Sequence, residues 1–402
     1  MNFVFISPQF PSSYWQFCDR LSKRGVTVLG IGDTPYDRLA DEVKSSLAEY
    51  YWVSSLENYD EVSRAVAFLM WKYGRIDWIE SNNEHWLGLD ARLRSDFNVG
   101  TGPDAFEAQV LTSKADMKVY YARAGVPSAR QTRLRGREDA VAFAEGTPTR
   151  AGVGWPIIAK PERGVGSLGV RRLDDAEALE AFLREWDGSD YLLEECVSGT
   201  IVAYDAIVDS HGEPVFENMD VFPPSMLDVA TDGLDLTYMT PPTVDPNLAR
   251  VGRRCIESFA LRSRFVHLEF FRLDHDMEGL GRAGDYVGLE VNVRPPGGLT
   301  PDMMNFAHSC DVYDIWAAMV CEDGCSWRDE GDPYWCIYAS RRNGRPYAHS
   351  RDEVRAAFGG PLLIDKPVPG ALAGEMGDHL YIARFETEGQ AQEFARYVQE
   401  TL

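Results

Sequence analysis

Short apolar runs alternate with amphipathic segments over the first hundred residues. The runs 3–6, 26–32 and 76–80 have the length and composition of buried strands. Between them, "YWQFCDRLSKRG" and "YDEVSRAVAFLMWKYG" repeat apolar residues every three or four positions and end in glycine, as helices do. This alternation of strand and helix predicts a small, open, parallel α/β sheet.

The pattern changes after about residue 113. A helix is predicted from Lys114 to Ala124, and a mixed region continues to about residue 187. Strand-like runs follow at 190–196, 200–209, 213–222, 265–273 and 285–293. Hairpin-like gaps between some of them predict an antiparallel α+β unit. From about residue 330, two more strands and two helices are predicted to pack as a lid or subdomain.

Composition and charge narrow the classes of function. The 402 residues suffice for two or three domains. A net charge of −23 disfavours nucleic acid as a partner, although local cations can still hold a small anion. Seven scattered cysteines fit a reducing compartment, and no run approaches the ~18 apolar residues of a membrane span. We therefore expect a cytoplasmic protein with no membrane partner.

The stretch "GLEVNVRPPGG" (288–298) places polar residues at alternate positions of an apolar strand. Glu290, Asn292 and Arg294 share one face, while Leu289 and the two valines are predicted to face the core. A second strand, "FVHLEFFRL", carries another acid and can pair with the first as a hairpin. Two carboxylates and an amide oxygen on one face suit a divalent cation. The alternative is an exposed polar face, with Arg294 paired to Glu290.

Two further segments carry candidate chemistry. "WPIIAKPERGVGSLGV" is a strand that ends in Lys160 and continues into a glycine-rich loop, whose backbone N–H groups could cover phosphate oxygens. A plain flexible turn is the alternative. "YLLEECVSGT" ends a strand in Glu194 and Glu195, which must point to opposite faces, so one of them faces inward. The alternative is a strand end with both acids in solvent.

The order of these segments resembles the ATP-grasp superfamily. "TSKADMKVYYARAGVPSAR", "WPIIAKPERGVGSLGV", "YLLEECVSG", "HLEFF" and "GLEVNVRPPGG" follow one another between about 113 and 322. The resemblance implies an α/β plus α+β fold. Its parts are a Rossmann-like pre-ATP-grasp domain (1–112), a two-lobed ATP-grasp domain (113–325, divided into 113–190 and 191–325) and a small C-terminal α+β subdomain (326–402).

The resemblance also assigns roles to individual residues. It implies an ATP site made by Lys114, Lys160, Glu162, Gly166, Ser167, Leu168, Glu194, Glu195 and Val197. The metal ligands would be Glu269, Glu290 and Asn292, holding two Mg²⁺ ions, with Mn²⁺ as an alternative. Lys160 and Arg294 would be catalytic, and substrate would contact Arg294, Gly297 and Gly298. His267, two positions before Glu269, is interpreted as a structural histidine.

Two departures from the family pattern stand out. Ile201 occupies the position where many members have the glutamate that binds ribose, so the ribose contact is unassigned. Val293 replaces the proline of the usual N-P-R, which keeps the side-chain spacing. The chain also lacks the Q-V-E-H continuation of biotin carboxylases, and "RPPGG" instead resembles the R-x-G-G of amino-acid ligases.

The implied activity is that of an ATP-dependent, ADP-forming ligase. It would activate a carboxylate as an acyl phosphate and join it to an amine, with ammonia or a thiol left open as acceptors. Two alternatives remain: a carbamoyl-phosphate-synthase-like phosphorylation of carboxylate or carbamate, and a non-catalytic nucleotide-binding protein. The expected partners are small molecules, and homodimerisation is left open.

Overall fold

A computed structural model describes residues 1–164, 169–223, 233–325 and 331–402. Three predicted ATP-site residues, Gly166, Ser167 and Leu168, lie outside these ranges. The strands are β1 Asn2–Ile6, β2 Thr27–Gly32, β3 Glu49–Trp52, β4 Trp78–Glu80, β5 Gln131–Arg133, β6 Gly146–Thr147, β7 Arg150–Ala151, β8 Ile157–Pro161, β9 Arg171–Leu173, β10 Tyr191–Glu195, β11 Gly199–Val208, β12 Pro214–Phe222, β13 Thr237–Thr240, β14 Arg264–Leu273, β15 Tyr286–Asn292, β16 Trp335–Arg341, β17 Leu362–Pro367 and β18 His379–Phe385.

The helices connect these strands and cover the sheets. The α-helices are Trp15–Lys23, Asp41–Ser46, Tyr59–Tyr73, Leu87–Asp96, Ala105–Leu111, Lys114–Arg123, Arg137–Glu145, Ala176–Glu185, Pro246–Ser258, Thr300–His308, Val312–Glu322, Arg351–Phe358, Ala373–Met376 and Glu388–Gln399. Short 3₁₀ helices span Tyr36–Arg38, Glu84–Trp86 and Gly370–Leu372. In the ranges given above, no helix is both long and apolar enough to cross a membrane.

The N-terminal sheet has the strand order β3-β2-β1-β4, and every pair in it is parallel. This confirms the parallel α/β start predicted from the alternating pattern. The carboxyl ends of parallel strands lie at one edge of a sheet, so the residues that follow β1 and β4 come together there. The edge faces the large sheet, because Glu84, which follows β4, forms an ion pair with Arg294, which follows β15.

The largest sheet has eight strands in the order β15-β14-β11-β12-β13-β16-β18-β17. All its pairs are antiparallel, which confirms the α+β prediction. The strands of the C-terminal tail continue this sheet, because β13 pairs with β16 and brings Tyr238 opposite Tyr338. The boundary placed at 325/326 therefore crosses a continuous sheet, and the expected lid or subdomain shares its layer with the preceding domain.

A third sheet, β5-β10-β8-β9, carries the helices Arg137–Glu145 and Ala176–Glu185 on one face. Its central pair, β8 and β10, places Lys160 opposite Leu192. Opposed residues of an antiparallel pair share a face, so Glu194, two positions beyond Leu192, is a diagonal neighbour of Lys160. The backbone pairing therefore positions these two side chains.

Buried charged residues link the N-terminal sheet to the large sheet. Arg264, which begins β14, lies 3.2 Å from a Glu80 carboxylate oxygen and donates to the Val293 carbonyl oxygen at 3.0 Å. Arg94 donates to the Ile79 carbonyl oxygen at 2.7 Å and reaches the same Glu80 oxygen at 3.4 Å. Val293 lies between Asn292 and Arg294, so this cluster fixes the end of β15.

Replacing Asp90 by asparagine should make the free energy of unfolding less dependent on pH. Burial, followed by the nearby Glu80 carboxylate, raises the pKa of Asp90 to about 8. The folded state thus keeps a proton that the unfolded chain releases near pH 4, so wild-type stability falls as pH rises from about 4 to about 8. Urea unfolding at pH 5 and pH 8 should show Asp90→Asn gaining about 1 kcal/mol or more over wild type at the higher pH. An equal difference at both pH values would argue against a protonated Asp90.

Candidate active site

Two carboxylates face each other across β14 and β15. Glu269 lies directly opposite Glu290, and His267 lies opposite Asn292. The register shifts next to this pair, so Leu289 is the extra residue of a bulge. The prediction that Leu289 faces the core is wrong in consequence: it is half-buried, whereas Val291 and Val293 lie in the apolar core.

Cationic groups hold these acids. The Lys114 ammonium nitrogen lies 2.9 Å from Glu290 Oε1, and His267 Nε2 lies 3.1 Å from Glu269 Oε1. Burial raises the pKa of Glu290, and the Glu269 carboxylate adds to the effect. Burial also acts to raise the pKa of Glu269, but His267 outweighs it and lowers that pKa. Glu269 is therefore stabilised as an anion by the protein itself, whereas the charged form of Glu290 would be stabilised by a further cation.

The donor set suits a hard divalent cation. Glu269, Glu290 and Asn292 offer carboxylate and amide oxygens on one sheet face, the ligands that Mg²⁺ and Mn²⁺ prefer. Within the part of the chain that the structure describes, no group of three or more His, Cys, Asp or Glu side chains could hold a metal. A cation between the two acids would thus need the Asn292 oxygen as its third protein ligand.

His267 is locked between two acids. Its Nδ1 lies 2.7 Å from Asp205 Oδ1 on the neighbouring strand, and its Nε2 faces Glu269. Burial lowers the pKa of His267, yet Asp205 and Glu269 outweigh burial and raise it to about 10. The imidazolium therefore donates to both carboxylates, and the histidine orients Glu269.

Arg294 reaches across to the N-terminal domain. Its guanidinium forms an ion pair with Glu84 and donates to the Pro295 carbonyl oxygen at 2.9 Å. Glu84 begins a 3₁₀ helix just after β4, at the carboxyl edge of the parallel sheet. The alternative pairing of Arg294 with Glu290 is wrong, because Glu84 holds the arginine and Lys114 holds Glu290.

A second cluster lies on the small sheet. Glu194 is 4% exposed, and its two carboxylate oxygens lie 2.7 Å from the Lys160 nitrogen and 3.0 Å from the Lys118 nitrogen. Burial acts to raise the pKa of Glu194, but the two ammonium groups outweigh it and lower that pKa. Burial also lowers the pKa of Lys118. Two lysines therefore share one carboxylate, and the resulting excess of positive charge can bind an anionic ligand.

Lys114 stands between the two clusters. It begins a helix capped by Ser113, whose hydroxyl accepts from the Asp116 N–H at 3.2 Å. Besides reaching Glu290, its ammonium group donates to the Gly164 carbonyl oxygen at 2.9 Å, at the start of the glycine-rich loop. The Glu162 side chain contacts Arg133 at 2.7 Å and accepts from the Ser113 hydroxyl at 3.1 Å.

The remaining predicted residues are more dispersed. Glu195 points away from Glu194 and pairs with Arg130 at 2.7 Å, as the alternation along the strand requires. Val197 packs in a small apolar cluster. Gly297 has no described atom within 4 Å of where a Cβ would stand, and Gly298 adopts a φ of +63° with Met376 beside it. A side chain at position 297 would therefore meet open space.

Three charged residues of the site were missed from the sequence. Lys118 follows Lys114 by four positions, a spacing that places both side chains on one helix face. Glu84 follows a buried parallel strand, where side chains meet at a common edge. The sequence gives no indication that Asp205 belongs to the site, because a single acid in the apolar run "GTIVAYDAIV" does not predict a functional role.

Comparison with known proteins identifies the domain that holds this geometry. Residues 153–298 match the family model for the ATP-grasp domain, so the chain contains an ATP-grasp domain, as its motifs predicted. The matched residues include β8, β10, β14 and β15, which carry Lys160, Glu194, His267, Glu269 and Glu290. A comparison with curated proteins finds no match.

Solved structures extend the likeness to the whole fold. L-amino acid ligase from Bacillus licheniformis is 12% identical, with a TM-score of 0.72 over 98% of this chain and 96% of that one. N5-carboxyaminoimidazole ribonucleotide synthetase from Thermotoga maritima is 13% identical, with a TM-score of 0.67 over 100% and 99%. The biotin carboxylase domain of 2-oxoglutarate carboxylase from Hydrogenobacter thermophilus, in complex with MgADP, is 15% identical, with a TM-score of 0.69 over 98% and 88%. At these identities the likeness establishes the fold.

Proposed function

We propose that this protein is an ATP-dependent, ADP-forming ligase that joins a carboxylate to an amine. The observation that carries the proposal is the opposition of Glu269 and Glu290 beside Arg294, at the edge where Lys114 meets the glycine-rich loop. Two solved neighbours named as ligase or synthetase share the fold along their full length, which supports the same class of reaction.

The lysines account for the nucleotide. Lys114 and Lys160 would bind phosphate oxygens, with Lys118 adding positive charge beside Lys160. In the nucleotide-free protein, Glu194 is the counterion of the Lys160 and Lys118 ammonium groups. Glu162, Glu195, Val197 and the loop residues Gly166, Ser167 and Leu168 belong to the same proposed nucleotide site.

Glu269, Glu290 and Asn292 would hold two Mg²⁺ ions, or Mn²⁺ in their place. When bound, such ions neutralise phosphate charge during phosphoryl transfer. His267 fixes the orientation of Glu269, and Lys114 exchanges Glu290 for phosphate oxygens as the nucleotide enters.

Arg294 would neutralise charge on the carboxylate and the transferring phosphoryl group. In the first step, a carboxylate oxygen bonds to the γ-phosphorus of ATP and the bond to ADP breaks. In the second step, an amine nitrogen bonds to the acyl carbon, phosphate leaves with the bridging oxygen, and the amine proton passes to solvent. The substrates would be small molecules of the cytoplasm. The proposed reaction is compatible with a monomer and with a homodimer.

The test is ADP release from the wild-type enzyme with MgATP, across a matrix of carboxylates and amines. Product masses should equal acid plus amine minus water. Hydroxylamine in place of the amine should yield a hydroxamate, because it intercepts an acyl phosphate. ADP release that no carboxylate stimulates, together with equal ATP affinity with and without Mg²⁺, would favour a nucleotide-binding protein instead.

A further inference from the structure

The ion pair between Glu84 and Arg294 brings an acid of the N-terminal domain into the proposed carboxylate site. The two side chains are 18% and 14% exposed, so the pair is largely desolvated yet keeps some contact with solvent. Among the described residues, Arg294 is the cation bonded to Glu84, whereas Glu290 and Glu269 are held by Lys114 and His267. Glu84 is therefore an acid beside Arg294 to which the proposed metal and nucleotide sites assign no role.

Glu84 stands on a rigid support. The Tyr14 hydroxyl donates to the Asn82 carbonyl oxygen at 2.8 Å, and the Asn83 side chain accepts from the His85 N–H at 3.0 Å. Ser81 donates through both its N–H and its hydroxyl to Asp90, at 2.9 and 2.6 Å. Such a fixed acid is suited to recognising a ligand at a set distance from Arg294.

We propose that Glu84 binds the ammonium group of an α-amino acid whose carboxylate is bound by Arg294 and then phosphorylated. The inference rests on the proposed ligase function and names the class of its acyl substrate. In a zwitterionic α-amino acid the ammonium and carboxylate groups are attached to the same carbon. Such a ligand can replace the Glu84–Arg294 ion pair by two new pairs, its ammonium with Glu84 and its carboxylate with Arg294.

A carboxylate without an amino group fits this site poorly. By taking Arg294 it would leave the mostly buried Glu84 without a counterion and would place two negative charges side by side. A site that holds a charged group for pairing discriminates strongly against ligands that lack the partner.

The test compares α-amino acids with their des-amino counterparts, with hydroxylamine as a common acceptor. Alanine against propionate and phenylalanine against 3-phenylpropionate are suitable pairs. Wild type should prefer the amino acid by about 10²-fold or more in kcat/KM for hydroxamate formation. Glu84→Gln should reduce that preference at least about tenfold, mainly through KM for the amino acid, with KM for ATP unchanged. Glu42→Gln, an exposed acid of the same domain, should leave the preference unchanged.

The outcomes separate this inference from the function on which it rests. Hydroxamate formed equally well from propionate and alanine, or a full preference retained in Glu84→Gln, would overturn the role of Glu84 while the ligase stands. Hydroxamate formed from no carboxylate would overturn both. Should Glu84→Gln fail to fold, the wild-type comparison still decides, and Glu84→Asp provides a charged variant that should keep a measurable preference.

Discussion

Replacing Glu290 by glutamine should lower kcat for carboxylate-dependent ADP formation by about 10³-fold, because one of the two opposed carboxylates that we propose as metal ligands is lost. The fold should survive the change. Burial and the facing Glu269 raise the pKa of the Glu290 carboxyl, and a glutamine carbonyl oxygen can still accept from Lys114, so loss of the charge should cost the ligand-free protein little. The thermal midpoint should stay within a few degrees of wild type or rise.

Glu278→Gln is the matched control for this substitution. Glu278 is exposed in the connection between β14 and β15, so its amide removes the same charge from the same hairpin without touching the site. It should keep wild-type kcat. Normal turnover by a correctly folded Glu290→Gln would show that Glu290 is no metal ligand in the reaction.

Arg294→Lys should lower kcat by about 10²–10³-fold even though the charge is retained. A guanidinium can meet Glu84 and a second anion with its separate N–H groups, whereas an ammonium acts as a single point charge. Arg294 also donates to the Pro295 carbonyl oxygen at 2.9 Å, a contact that fixes its plane and that lysine cannot reproduce while facing Glu84.

Kinetics in both substrates locate the defect of this variant. KM for ATP should change little, because Lys114 and Lys160 carry the proposed phosphate contacts, whereas kcat/KM for the carboxylate should fall strongly. Arg282→Lys, at an exposed position of the β14–β15 connection, should behave as wild type. A loss confined to KM for ATP would move Arg294 from the carboxylate to the nucleotide.

The sequence predicted the parts of the site that lie on strands. Alternation placed Glu290 and Asn292 on one face, and the hairpin with "FVHLEFFRL" brought Glu269 opposite them. The same alternation predicted that Glu194 and Glu195 point to opposite faces. In the structure Glu194 pairs with Lys160 and Glu195 pairs with Arg130. These predictions depend on the period of a strand, which is a local property of the chain.

The contacts missed from the sequence join segments that lie far apart in it. Glu84 and Arg294 are 210 positions apart, so their pairing depends on how the N-terminal sheet packs on the large one. The bulge at Leu289 also escaped prediction, because it arises from the register of two strands and leaves no mark in either one. The tail was predicted as a lid or subdomain, and its link to the large sheet escaped prediction because the joining strand, β13, is only four residues long.

The step that defines the proposed ligase is the transfer of the γ-phosphoryl group of ATP to a carboxylate oxygen. The direct measurement uses the carboxylate that best stimulates ADP release, labelled with ¹⁸O in both carboxyl oxygens, and mass analysis of the phosphate formed in the presence of the amine. An acyl phosphate intermediate predicts one ¹⁸O atom in each phosphate and one in the amide product, because the bridging oxygen leaves with phosphorus. Unlabelled phosphate from a turning-over enzyme would mean that water took the phosphoryl group, and this result would exclude an acyl phosphate intermediate.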